Sequence, residues 1–187
     1  MQNDYEIFED SVRNTFGGVM WSHKIHEKQS DLYAKQYKSM ETAKILAASL
    51  TSVGIVSLIF TDQIWVKILS ALISFVSVFV SAFFRSFDLQ NMISSHTSVA
   101  HKLLNKRDEL KLLILRIRLE QDTVAVLMEQ YNELVKQVDE IYSDAPRTTD
   151  KAVKQARIAL NIKQDNRFSE LEIDDSLPEK LRREGRE

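Results

Sequence analysis

Apolar residues fall into sharply different patterns along the chain. Between Ile45 and Thr61, and again between Ile68 and Phe84, no charged residue occurs. Each run is about 17 residues, roughly 26 Å of helix at 1.5 Å per residue, close to the ~30 Å of a hydrocarbon core. Asp62, Gln63, Trp65 and Lys67 lie between the runs. The pattern predicts two membrane spans, about 45–61 and 68–84, within a hairpin over 45–84. Trp65 would sit at the headgroup level that its amphipathic ring prefers. The competing reading is a buried hairpin in a soluble protein. That would need a large apolar partner covering both helices all round, and the rest of the sequence offers none.

The flanking segments are polar but periodic. From Met20 to Lys44 there is no Gly or Pro. Ile25, Leu32, Tyr33 and Met40 gather near one side, with Lys24, Lys28, Lys35 and Lys38 mostly elsewhere. An amphipathic helix over 20–44, running unbroken into the first span, is expected. No Gly or Pro occurs from Ile55 to Ala145 either, which predicts one long helix over 85–145. Steps of three and four connect Leu103, Arg107, Leu110, Ile114, Ile117, Gln121, Val124, Met128, Tyr131, Val135, Val138 and Tyr142. Such spacing marks a coiled-coil or bundle seam. A second stripe of Leu113, Leu127, Leu134 and Ile141 widens it towards a multi-helix bundle, with the 20–44 helix or further subunits as partners. The expected fold class is therefore all-α: a two-transmembrane hairpin continuous with a long-helix cytoplasmic bundle.

At the ends, residues 1–19 read as a polar lead closed by a turn at Gly17-Gly18. Pro146 should stop the long helix at Asp144-Ala145. Within 146–187, Thr148 or Thr149 can cap a helix from Lys151 to Lys163. Leu171, Ile173 and Leu177 then stand among acids, as a docking segment or a loosely ordered tail.

Charge adds orientation. Lys24, Lys28, Lys35, Lys38 and Lys44 precede the first span, Arg85, Lys102, Lys106 and Arg107 follow the second, and the turn holds only Asp62 and Lys67. The positive-inside rule puts both termini in the cytoplasm. The formal net charge of −2 gives no support to nucleic-acid binding. With no cysteine, neither disulfides nor thiolate metal sites are available. Met1 to Asp10 is acidic and unlike a signal peptide.

Candidate chemistry is sparse. No nucleophile motif or phosphate-cradling Gly-rich loop is present, so no enzyme activity, cofactor or metal is expected. His23 and His26, three apart, could meet one metal ion, but no third ligand is evident. His96 and His101, five apart, do not share a helix face. The more suggestive pattern is Ser70, Ser74, Ser77 and Ser81, one hydroxyl stripe along the second span, opposite a small-residue side of Ala47, Thr51, Gly54 and Ser57 or Leu58. Close helix packing explains it, and so does the polar lining of a pore built by several subunits. A single hairpin encloses no channel, so conduction requires a homo-oligomer.

The Phe16-Gly17-Gly18-Val19-Met20-Trp21 segment, the lysine-rich helix after it, the tight hairpin and the long helix beyond together resemble the SLATT family over about Ser11 to Tyr142. These are bacterial two-transmembrane effectors found beside SMODS nucleotidyltransferases, SLOG sensor domains or reverse transcriptases. The resemblance implies an inner-membrane effector of antiphage defence that forms a pore or lesion and halts the infected cell. Its trigger would be a nucleotide second messenger or a sensor protein encoded nearby. No catalytic or nucleotide-binding residue carries over. The alternative is a passive coiled-coil anchor that recruits a cytoplasmic partner, with the Leu171–Leu177 segment as its docking element.

Overall fold

The computed structural model describes residues 2–60, 63–85, 88–165 and 168–182. These residues are all-helical. Six α-helices run α1 (Gln2–Phe60), α2 (Ile64–Arg85), α3 (Leu89–Arg118), α4 (Val124–Asp144), α5 (Asp150–Arg157) and α6 (Glu170–Ser176). A π-helical turn (Ile158–Ile162) extends α5, and a 3-10 turn (Glu179–Leu181) follows α6.

Helix α1 is the spine. Its 59 residues reach about 88 Å at 1.5 Å per residue. The expected turn at Gly17-Gly18 is not there: both glycines lie inside the helix, and a Cβ on either would meet nothing within 4 Å. Each costs roughly 1 kcal/mol against alanine in a helix interior. The cost is met by anchors on either side, because Phe8, Val12 and Val19 are all buried in the core. The polar lead is thus a core helix.

Helix α3 runs antiparallel to α1 in a constant register. Tyr5 donates to the Asp122 carbonyl at one end, and Gln90 donates to the Tyr37 hydroxyl at the other. Thirty-two residues along α1 are matched by thirty-two back along the opposing chain. Arg118 with Glu9 and Ser30 with Thr97 keep the same phase. A second row, where His23 meets the Ala100 carbonyl, continues past the junction at Asp88 to Gly54 against Ser70. That step is 31 residues along α1 and 30 back. Helices α2 and α3 are therefore two segments of one antiparallel partner to α1. The Asp88 side chain accepts from the Asn91 N–H and caps α3.

The single long helix expected over 85–145 is instead broken at Asp88 and again at 119–123. The second break is a Schellman motif without glycine. Gln121 N–H bonds the Arg116 carbonyl, Glu120 N–H bonds Ile117, and Glu120 takes φ 47°. A left-handed non-glycine residue costs roughly 1–2 kcal/mol, offset here by the core that α4 then closes. Phe8 and Tyr131 meet edge to face at 5.7 Å, and Thr15 shares a 2.7 Å hydrogen bond with the Tyr131 hydroxyl.

The heptad seam consequently splits. Leu103, Leu110 and Ile117 are buried within this one chain, with Ile114 half-buried. In α4 the phase shifts: Leu127 and Val138 are the buried residues, Val124, Tyr131 and Val135 are half-buried, and Met128 is 45% exposed. Gln121 falls in the turn. Helix α4 ends at Asp144, with Ala145 extended before Pro146. Thr149 caps α5 by accepting from Ala152 N–H. The tail segment forms α6, whose Ser169–Glu172 capping box orders it, with Leu171 and Ile173 exposed.

Leu110 and Leu112 give a paired test of this core. Leu110→Ala, at a fully buried position, should cost about 3 kcal/mol. Leu112→Ala, at an exposed one, should cost within about 0.5 kcal/mol. Denaturant midpoints of the detergent-solubilised protein measure both, and equal effects would contradict the packing of α3 against α1.

Candidate functional site

The apolar end of the molecule has two faces. On α2, Val66, Ser70, Ile73, Ser74, Ser77 and Val80 are the shielded positions, turned towards α1, the neighbour of α2. Ser70 is buried. A Cβ placed on Gly54 would meet its Oγ at 2.9 Å and its Cβ at 3.3 Å. Gly54 thus sets how closely the helices approach, as small residues do between membrane helices. Ser74 and Ser77 are half-buried on the same face, while Ser81 is exposed. Thr51 satisfies its hydroxyl on its own helix, donating to Ala47 O at 2.8 Å, and Ser49 and Ser52 do likewise with Ile45 O and Ala48 O. Thr61 and Asp62 of the expected turn lie outside the described residues, as do the side chains of Ser57, Leu58 and Arg85.

The other face is greasy and bare. Ile45 (64%), Leu46, Leu50, Val53 and Val56 of α1 are exposed, as are Trp65 (77%), Ile68, Leu72, Phe75 (71%) and Phe79 of α2. Ile64–Ala82 has a mean hydropathy of 2.1 over 19 residues, and by length and composition it can cross a membrane. Monomeric soluble proteins rarely expose contiguous apolar surface on this scale.

Farther towards the N-terminus of α1, 16 to 22 residues before Ile45, Gln29, His26 and His23 are buried between α1, α3 and α5. The His26 and His96 rings meet Nδ1 to Nδ1 at 2.9 Å, so one nitrogen donates and the other accepts. Tyr33 packs on His96, and His23 Nδ1 bonds the Ala100 carbonyl at 2.9 Å. Gln29 is fully buried, and its Oε1 accepts from both Thr149 N–H (2.9 Å) and Thr149 Oγ1 (2.8 Å), which ties α5 to α1. Among the described residues no cluster of three or more His, Asp or Glu groups is arranged to hold a metal ion.

Beside this lies a cleft of about 700 Å³ between α1, α3 and the π-turn. Lys24 is 2% exposed at its wall, its Nζ 3.0 Å from Glu27 and 3.8 Å from Asp165. Burial pushes the Glu27 carboxyl up, but Lys24 and Lys28 outweigh it and hold the group below the usual carboxylate range. Sequence spacing places Lys24 on the polar side of the helix and favours solvated or membrane-proximal histidines over a His23–His26 metal site, whereas His23, His26 and His96 are all buried. Neither the burial of Lys24 nor the contact of His26 with a residue 70 positions away has a local signal.

The histidine pair makes stability depend on pH with a definite sign. Burial, then the His96 and His23 charges, lower His26 to about 4, and burial also lowers His96. The unfolded chain binds protons first, so stability is full above about pH 6.5 and falls as pH drops towards 4. The melting temperature should fall by about 5 °C or more between pH 7 and pH 5. His96→Gln keeps a hydrogen-bonding partner for His26 without titrating and should make that profile shallower, with the remaining slope due to the burial of His26 and His23.

No curated protein and no solved structure matches this chain. A family profile does, over residues 8–172, and its description is "SMODS and SLOG-associating 2TM effector domain family 4". With the match covering most of the sequence, together with the helical architecture above, the chain belongs to the SLATT family of two-transmembrane effector domains.

Proposed function

We propose that this protein is an oligomeric inner-membrane effector of a bacterial antiphage system, with the end of α1 and all of α2 as two spans and both termini in the cytoplasm. The observation that carries it is the bare apolar belt on both helices, from Ile45 to Val56 and from Ile64 to Phe79. Such a surface is stable facing lipid and unfavourable facing water. Membership of a two-transmembrane effector family supports the same reading.

In the described state Ser70, Ser74 and Ser77 of the hydroxyl stripe are turned onto α1, and Ser81 is exposed. Lining a conducting path with Ser70, Ser74 and Ser77 therefore requires α1 and α2 to part, within a ring of several copies. The trigger, a nucleotide signal or a sensor protein, must favour the parted state over the closed one by its differential affinity. A second reading rests on α6: its exposed Leu171 and Ile173 suit a passive anchor that docks a cytoplasmic partner.

Gly54 and Ser70 offer a direct test, because the chain has no cysteine to confuse it. The 3.3 Å between a Cβ at Gly54 and Ser70 Cβ is near the ~3.5–4.5 Å of a disulfide. The Gly54→Cys, Ser70→Cys double variant, oxidised, should abolish ion leakage from activated cells or proteoliposomes by tenfold or more. Reduction should restore it. Undiminished leakage through the cross-linked protein would refute opening by separation. No leakage from the activated wild type would favour the anchor.

A further inference from the structure

The cleft beside Lys24 holds an unusual distribution of charge. Glu27 is engaged by Lys24 and Lys28 and Asp31 by Lys28, while Arg107 of the cleft pairs with Asp108 outside it. Asp165 differs. Its one cation among the described residues is Lys24, at a loose 3.8 Å. It reaches that place through a costly turn: the π-turn ends, Gln164 takes φ 53°, and Asp165 N–H bonds back to the Ala159 carbonyl at 2.9 Å. Gln164 closes the helix end as a left-handed cap, at roughly 1–2 kcal/mol for a non-glycine residue, and this leaves the Asp165 carboxylate 3.8 Å from an ammonium that Glu27 holds more closely. Lys111 and His101 line the same cleft with no hydrogen-bond partner among the described residues. Phe16, Met20, Leu104 and Leu160 supply apolar walls.

We propose that this cleft binds a small soluble organic anion, and that Asp165 is the internal stand-in for its charged group. A phosphate or carboxylate entering the cleft displaces Asp165 from Lys24 and gains Lys111 and His101 as further donors, while its apolar body lies against Phe16 and Leu104. The volume of about 700 Å³ is within the range of small-molecule sites. A lipid headgroup is the wrong source for this anion. Lys24 precedes Ile45 by 21 residues, about 31 Å of helix, beyond the reach of a bilayer that begins there. Because Asp165 and the ligand compete for one ammonium, removing the aspartate's charge should tighten binding.

The test titrates 1-naphthyl phosphate, an anion with a flat apolar body, and inorganic phosphate into the full chain in lipid nanodiscs, read by calorimetry. 1-Naphthyl phosphate should bind saturably and more tightly than phosphate. Asp165→Asn should bind it about tenfold more tightly than the wild type, Lys111→Gln several-fold more weakly, and Lys24→Met not at all. The Asp165→Asn arm keeps the backbone bond to Ala159, so it is informative even if Lys24→Met fails to fold. Absence of saturable binding to both the wild type and Asp165→Asn would overturn the proposal, as would equal affinity of the two. The readout is binding to the unactivated protein, so it stands or fails separately from conduction by the hairpin.

Discussion

The constraint on which everything else rests is the antiparallel register between α1 and the α2–α3 pair. Knobs on one long helix must find the same neighbours from Tyr5 opposite Asp122 to Gly54 opposite Ser70. A slip of one residue would turn Leu103, Leu110 and Ile117 out of the core and drive a side chain into the place that Gly54 leaves open. Hydrophobic burial supplies the energy of this pairing. The polar contacts along it, Ser30 with Thr97 and His23 with the Ala100 carbonyl, supply the phase, because a buried polar group out of register loses its partner. Among the described residues no buried side-chain polar atom is left unsatisfied.

The two ends of that register are solved by different chemistry. At the α4 end the pair is covered by a third helix, and leucines fill the space between three elements. At the other end α1 and α2 have only one another, and the outward-facing Ile, Val and Phe side chains remain bare. Ser70, Ser74 and Ser77 turn inward there, and Ser49, Thr51 and Ser52 bond to their own helix. This inversion, with small and polar groups inside and large apolar groups outside, is what a lipid environment favours. Between the two ends sit the titratable groups: the histidine pair, Lys24 and the carboxylates around it.

Much of this was legible in the sequence, for physical reasons. The uncharged run of α2 states its preference locally, and Pro146 and Thr149 act on the backbone within one or two residues. Of the residues at heptad spacing, Leu103, Leu110 and Ile117 are buried within the single chain. What the residues did not show depends on contacts between distant positions. Glu120 adopts a conformation normally left to glycine, so the break after α3 carries no breaker, and the seam past Gln121 belongs to a helix of different phase. Gly17-Gly18 is the converse: two residues that favour a turn are held helical by Phe8, Val12 and Val19 around them. The partner of His26 lies 70 positions on, and the burial of Lys24 depends on α5 folding back over α1.

A continuous helix beside a jointed one has a mechanical consequence. From Gln29, where α5 is tied, to Gly54, where α2 packs through Ser70, α1 has no interruption, so it behaves as a stiff shaft about 38 Å long. Its companion is divided at Asp88. Twist or tilt imposed on the shaft at the Gln29–Thr149 tie therefore travels along α1, while the companion yields at its joint. Strain accumulates between the two at the far end rather than spreading evenly along them.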